Sequence, residues 1–261
     1  MKKPVTLYIL LLALSIGVLF LLNLFLGSVD IPFRSIWNIL WGMDEGESVI
    51  WQNIIWKSRV PQALTAMVAG AGLAVSGLQM QTVFRNPLAG PSVLGISSGA
   101  SLGVAFVVLL SGSIGGIALS RLGFMGEIAL TMAAIIGALS IMALIVYVSQ
   151  KVHGNVTLLI IGVMIGYVAN AVIGVLKFFS VEEDIRAYVI WGLGSFARVS
   201  GNQMMVFVCI MAVLLPLSFL LIKTLNLLLL GDAYARNLGL NIKRARLQVI
   251  ACSGVLVAIV T

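Results

Sequence analysis

Charge, histidine, cysteine and catalytic motifs are all scarce in this chain, and each shortage closes a class of function. Charged residues make up 10% of the 261, against about 25% in average soluble domains. That excludes an ordinary soluble domain and a disordered chain. A lone histidine, His153, cannot build a metal site or the His/Asp/Glu cluster that a membrane-embedded enzyme needs. The two cysteines, Cys209 and Cys252, fall inside apolar blocks without C-x-x-C or Cys/His metal spacing, so they read as small buried hydrophobes. No G-x-x-x-x-G-K-[ST] phosphate loop occurs, so any ATP that powers this protein is hydrolysed on another subunit. No apolar block carries a carboxylate near its centre; Glu127 lies at a boundary. This weighs against a proton- or sodium-driven carrier or a channel with a charged filter. Short alternating segments, the mark of an outer-membrane barrel, are missing too.

What the chain has is apolar sequence. Hydrophobic residues reach 61% and the mean hydropathy is +1.13. They come in blocks of about 20 residues, the length that crosses a bilayer as helix. The expected class is an all-α polytopic membrane protein. Spans are expected near residues 5–27, 64–83, 93–110, 128–148, 158–179 and 204–222, with a partial seventh at 247–261. The last is too short to cross comfortably, so the sequence is expected to stop inside a helix of a longer chain. The first block follows Lys2 and Lys3 but is longer than a signal-peptide core and lacks a clear cleavage site, so it reads as a retained anchor. A more polar stretch, 28–58, contains an amphipathic segment at 31–41 with Trp37 and Trp41, suited to the membrane interface. The acidic run Glu182-Glu-Asp184 reads as a solvated loop.

The formal charge is +7, from 16 Lys+Arg and 9 Asp+Glu. In a membrane protein the question is which side holds the excess. With the N-terminus inside, that side holds Lys2, Lys3, Arg85, Lys151, Lys223, Arg236, Lys243, Arg244 and Arg246. Arg34, Lys57, Arg59, Arg121, Arg186 and Arg198 fall outside, and Lys177 snorkels from the outer end of the fifth span. Asp232 is then the one acidic residue inside. Nine against six favours a cytoplasmic N-terminus.

Two stripes of small residues stand out. Gly95, Gly99 and Gly103 repeat every four positions, as do Gly162, Gly166 and Gly174, with Asn170 filling the missing position. Such stripes let helix backbones approach closely; they also suit a pathway face, and Asn170 is the best candidate for a wet interior. Between residues 59 and 103 lie Arg59-Val-Pro-Gln62, Gly70-Ala-Gly-Leu-Ala-Val-Ser-Gly77, Gln81 and Arg85-Asn-Pro-Leu-Ala-Gly-Pro91, then Leu94-Gly95 and Gly99-Ala100. A loop of Asn-Pro and Gly-Pro between glycine-rich helices is irregular backbone, tolerated in a membrane only against protein or water. It is a natural place for a gate.

These motifs, with Trp191-Gly-Leu-Gly-Ser195 and Leu230-Gly-Asp-Ala-Tyr-Ala-Arg-Asn-Leu-Gly-Leu240, resemble those of FecCD permeases. These are transmembrane subunits of bacterial ABC importers for iron-siderophores, haem and cobalamin, with BtuC-like relatives. The resemblance covers the chain from its first span onward. It implies the type II importer permease fold of about ten helices, of which about six and a half are present. It also implies a homodimer in the bacterial inner membrane, cytoplasmic ATPase subunits carrying ATP and Mg, and a periplasmic or lipid-anchored solute-binding protein. Iron-siderophore is the first solute expected, with haem or cobalamin as alternatives. No catalytic residue, metal, bound cofactor or nucleic acid is expected on this subunit. The resemblance makes 231–239 a coupling helix docked on the ATPase through Gly231, Asp232, Ala235, Arg236, Leu238 and Gly239. It makes Asn86, Pro87, Leu88 and Asn155 a cytoplasmic gate. Arg59, helped by Lys57, becomes a contact for the binding protein; the family's second arginine is replaced here by Gln62, and Arg59 could instead be an interface anchor.

Overall fold

The computed structural model describes residues 5–43, 46, 48–115, 124–152 and 155–261, with backbone alone at 111–115, 124, 155 and 198. Lys2, Lys3, Asp44, Glu45, Glu47, Arg121 and His153 therefore lie outside the described residues, as do the side chains of Asn155 and Arg198. Among the described residues every regular element is helical. The chain divides into two compact units, residues 1–70 with 195–210 and residues 71–194 with 211–261.

The first unit opens with α1 (Val5–Phe25), apolar all round and exposed along nearly its whole length. An all-apolar surface without a core to face is a lipid-facing surface. Then comes α2 (Phe33–Leu40), whose Ile36 and Ile39 pack with Ile31 and Ile55. Its other face carries a run of rings. Phe25 stacks on Phe33 at 4.8 Å, Phe33 on Trp37 at 6.4 Å, and Trp37 lies against Trp41 at 5.8 Å. This is the composition of an interfacial belt.

The second expected span is longer than the sequence indicates. Helix runs from Val49 to Phe84, as α3 (Val49–Ile54), a π-helical turn at Ile55–Arg59, and α4 (Val60–Phe84). The sequence reading starts this span near residue 64, with Arg59 at its outer end. In the fold, Pro61 sits just after the widened turn. A proline cannot donate to the carbonyl four residues back, and an i→i+5 turn at that place absorbs the missing bond.

The second unit holds the main core, built by the end of α4, α5 (Ile96–Gly115), α6 (Phe124–Lys151), α7 (Asn155–Phe179), α8 (Glu182–Gly192), α10 (Ile222–Leu229), α11 (Asp232–Asn237) and α12 (Ile242–Val260). Between α8 and α10 comes α9 (Gly201–Phe219), which contains Pro216 and ends three residues later. The described helices long and apolar enough to cross a membrane number five, with Ile96–Leu110 a shorter apolar sixth.

The closest helix packing is α5 on α6. A β-carbon placed on Gly103 would lie 2.1 Å from the Ala133 carbonyl oxygen, and one on Gly137 would lie 2.2 Å from that of Gly99. Backbones this close leave no room for any side chain, so glycine is required on both helices. Buried Ser76 and Ser253 share a 2.6 Å hydrogen bond between α4 and α12. This satisfies two hydroxyls where an unpaired one would cost about 1–3 kcal/mol.

The acidic run at 182–184 is not a loop. It forms the first turn of α8, where negative side chains complement the helix dipole, and Asp184 is buried while Glu182 and Glu183 are exposed. Further along α8, Tyr188 packs in the core under the Lys177 ammonium, 4.7 Å from its ring centre. Burial raises its phenol above the ordinary value, and a hydrogen bond with Ser101 offsets part of that rise.

Candidate functional site

The short helix α11 is made by its ends. Gly231, just before it, has φ 106° and ψ 151°, a region open in practice to glycine alone. Asp232 follows at the positive end of the dipole. At the other end the Leu240 N–H donates to the Ala235 carbonyl and the Gly239 N–H to that of Arg236, each at 2.9 Å. With Gly239 at φ 85° this is a Schellman motif.

The sequence reading places Ala235 among the docking residues. In the structure it is fully buried in this chain's own core, so it cannot present a surface. A helix resting on its own protein through one face turns the neighbouring positions outward. Tyr234, Arg236, Leu238 and Gly239 are exposed, as are Leu229 and Leu230 just before the helix.

Asp232 is not left to the dipole. Its two carboxylate oxygens accept from Arg85 and from Arg246, each at 2.6 Å. Arg85 also donates to the Leu228 carbonyl at 3.1 Å. One aspartate thus joins α11 to the end of α4 and to the first turns of α12.

Arg85 begins the loop that carries the expected gate. It has φ 49°, the one described non-glycine residue with positive φ. The Asn86 N–H reaches the Gln81 carbonyl and the Arg85 N–H that of Thr82, so α4 ends in the same motif as α11, with arginine where glycine is the usual occupant. Asn86 then turns the chain: its Oδ1 accepts from the Leu88 N–H at 2.9 Å and its carbonyl from the Ala89 N–H at 3.0 Å. This local turn is what asparagine does well. Leu88 projects 86% exposed, while Ala89 is buried.

The two glycine stripes do different things. Gly99 and Gly103 meet α6. Gly95, at φ 72°, ends the loop and faces the backbone of Gly162 and Gly166 on α7. Gly162 also touches Leu94, and a β-carbon at Gly166 would make ordinary contact with Ser98. Beside that junction Ser92, Gly95, Ser98, Gly166, Tyr167 and Asn170 line an open cleft of about 170 Å³. Asn170 therefore shares an open cleft with two serines. Gly174, the end of its stripe, faces open space: a methyl group there would meet nothing within 4 Å.

In the first unit Arg59 is buried, with 4% of its surface accessible. Its Nη1 donates to the carbonyls of Leu24 at 2.6 Å and Phe25 at 3.2 Å, and its Nη2 to that of Val29. The guanidinium satisfies the open C-terminal end of α1, and the cation favours the negative end of that helix. Arg59 is thus an internal anchor here, and Lys57 is the exposed cation of the pair.

Arg246 and Gly137 are absent from the sequence-derived site, and Arg85 enters there only as a charge and a motif residue. A signal for the arginines existed. A single acidic residue among nine basic ones on the expected inner side should be claimed by one of them. Gly137 gave none, since an isolated glycine in an apolar helix has no periodic partner.

The FecCD transport family model matches residues 12–261. The hemin transport system permease protein HmuU of Yersinia pestis is 35% identical over 233 residues, 89% of this chain and 66% of the relative. A vitamin B12 import system permease protein BtuC, from Serratia proteamaculans, is 35% identical over 253 residues, 97% and 69%. Among solved structures, an inward-facing chain described as of metal-chelate ABC transporter type superposes with a TM-score of 0.76 at 28% identity, covering 99% of this chain and 75% of its own. The chain spans about two thirds of the length of these curated relatives. By the match along nearly all its length, its helical membrane fold and its motifs, the chain belongs to the FecCD transport family of ABC permeases.

Proposed function

We propose that the chain is the transmembrane permease of an ATP-driven importer for a metal chelate, working as a homodimer in the bacterial inner membrane with its N-terminus in the cytoplasm. Haem and vitamin B12 permeases are the relatives at 35% identity, so a tetrapyrrole-type chelate is the first solute to test. A ferric siderophore, the solute expected from sequence, is the second. A periplasmic or lipid-anchored binding protein delivers the chelate, and separate ATPase subunits carry ATP and Mg. Binding energy at the ATPase drives switching between two access states, which requires that nucleotide favour one of them.

The observation that carries this reading is α11: a short helix seated on its own buried Ala235 with Tyr234, Arg236 and Leu238 outward. These three are the ATPase contacts, with Gly231 and Gly239 shaping the helix. Asn86, Pro87, Leu88 and Asn155 form the cytoplasmic gate, Lys57 is the contact for the binding protein, and the cleft beside Asn170 opens on the pathway. Arg236→Glu is expected to abolish co-purification of the ATPase while the permease still reaches the membrane; retained co-purification overturns the docking assignment. Cysteines at 86 and 155 are expected to crosslink across the dimer axis with a yield that changes with nucleotide. Purified binding protein should carry its chelate, read by absorbance and mass.

A further inference from the structure

We propose that Arg85 is a positioning residue that ties the gate loop to the ATPase-facing helix through Asp232, so that a displacement of α11 is delivered to residues 85–95. This rests on the reading of α11 as the docking helix. Three observations converge on it. Arg85 is the first residue of the loop, and its guanidinium grips α10 and α11 together, through the Leu228 carbonyl and Asp232 Oδ1. Its backbone occupies a left-handed position at φ 49°, which is strained for a non-glycine residue. Glycine would end α4 more cheaply but could not reach the aspartate, and strain held in this way is a pointer to a role. Finally, the other carboxylate oxygen is held by Arg246 of α12, so Asp232 is shared between two arms. A load placed on α11 has a bonded route to the loop and a second to α12.

The arrangement is also matched in its ends. Both α4 and α11 close with the same pair of backbone hydrogen bonds, at Arg85 and at Gly239. Closed helix ends resist fraying.

The test is hydrogen exchange on the full-length permease, alone and with its ATPase bound. In the wild type, ATPase binding is expected to slow exchange in α11 and also in residues 85–95. In Arg85→Gln the protection of α11 stays and that of the loop is lost; Arg85→Lys, which keeps the charge, restores part of it. Loop protection that survives in Arg85→Gln overturns the proposal. Wild-type binding that leaves α11 unprotected sinks the docking reading instead, so the two failures are distinct. If Arg85→Gln does not reach the membrane, Asp232→Asn is read in the same way: it weakens both arms, and undiminished loop protection there also overturns the tie.

Discussion

A methyl group on Gly103 has nowhere to go. It would lie 2.1 Å from the Ala133 carbonyl and 3.1 Å from the Gly137 α-carbon, both backbone atoms that cannot swing aside. Gly103→Ala is expected to cost about 1–3 kcal/mol, the usual range for overpacking, seen as a lower thermal midpoint in detergent. Gly174→Ala, with open space around it, should be neutral or slightly stabilising, because alanine is the better helix former by about 1 kcal/mol. Equal losses at both positions would show that the α5–α6 contact is not the constraint. At Arg59 the issue is the fork. Replacing it with alanine removes charge-assisted bonds to three carbonyls, of which hydrogen bonds to charged groups contribute about 1.5–3 kcal/mol each. Arg59→Ala should free the end of α1 and speed proteolysis within residues 26–43. Unchanged cleavage would leave Arg59 available as a surface contact after all.

At the level of elements, the sequence and the fold agree where one physical rule dominates. The long spans are legible because about 20 apolar residues admit little besides a crossing helix. The limits of α6, α7 and α9 fall within four residues of the expected 128–148, 158–179 and 204–222. Agreement fails where two rules compete. At Lys57, Arg59 and Pro61 charge and proline argue for a loop, but α3 and α4 continue through them because the π-turn accommodates proline and α1 supplies acceptors for the arginine. At 182–184 three acids argue for solvent, but the start of a helix suits them equally. The candidate site shows the same division. Asn86 and the glycines bracketing α11 are readable because turns and caps are local. The Arg85–Asp232 tie spans 147 positions, and no local pattern reports a partner that far away. The cap of α11 has its own consequence. Gly239→Ala would force an L-residue to φ 85°, so weaker ATPase binding is expected without any change at the proposed contact residues Arg236 and Leu238, measured by co-purification.

For the molecule as a whole, orientation is the open variable that charge decides. Five expected spans separate Lys57 from Leu238, so alternation puts the two on opposite sides of the membrane. With Cys209 and Cys252 replaced by serine, single cysteines at 57 and 238 should react with an impermeant maleimide from opposite faces, 238 from the cytoplasmic one. Labelling of both from one face would overturn the proposed topology. The buried polar groups described in the second unit are mostly neutral, with Ser76, Gln79, Thr82 and Ser253 among them. Neutral hydrogen-bonding groups can brace helices without binding a driving ion. This fits the proposed ATP-driven importer.

The anchoring of α1 sets a clock on biogenesis. Its mean hydropathy of 2.7 lets it enter the bilayer alone, as the first stage of a two-stage assembly. Its carbonyl end, however, waits for a guanidinium 35 residues later than Leu24. Until the ribosome has released that arginine into the membrane, α1 is a free-floating span held by its own hydrophobicity. The end of α1 can therefore be capped only once Arg59 has been made. A nascent chain halted before Arg59 should leave α1 open to extraction or proteolysis, and one halted after α4 should not.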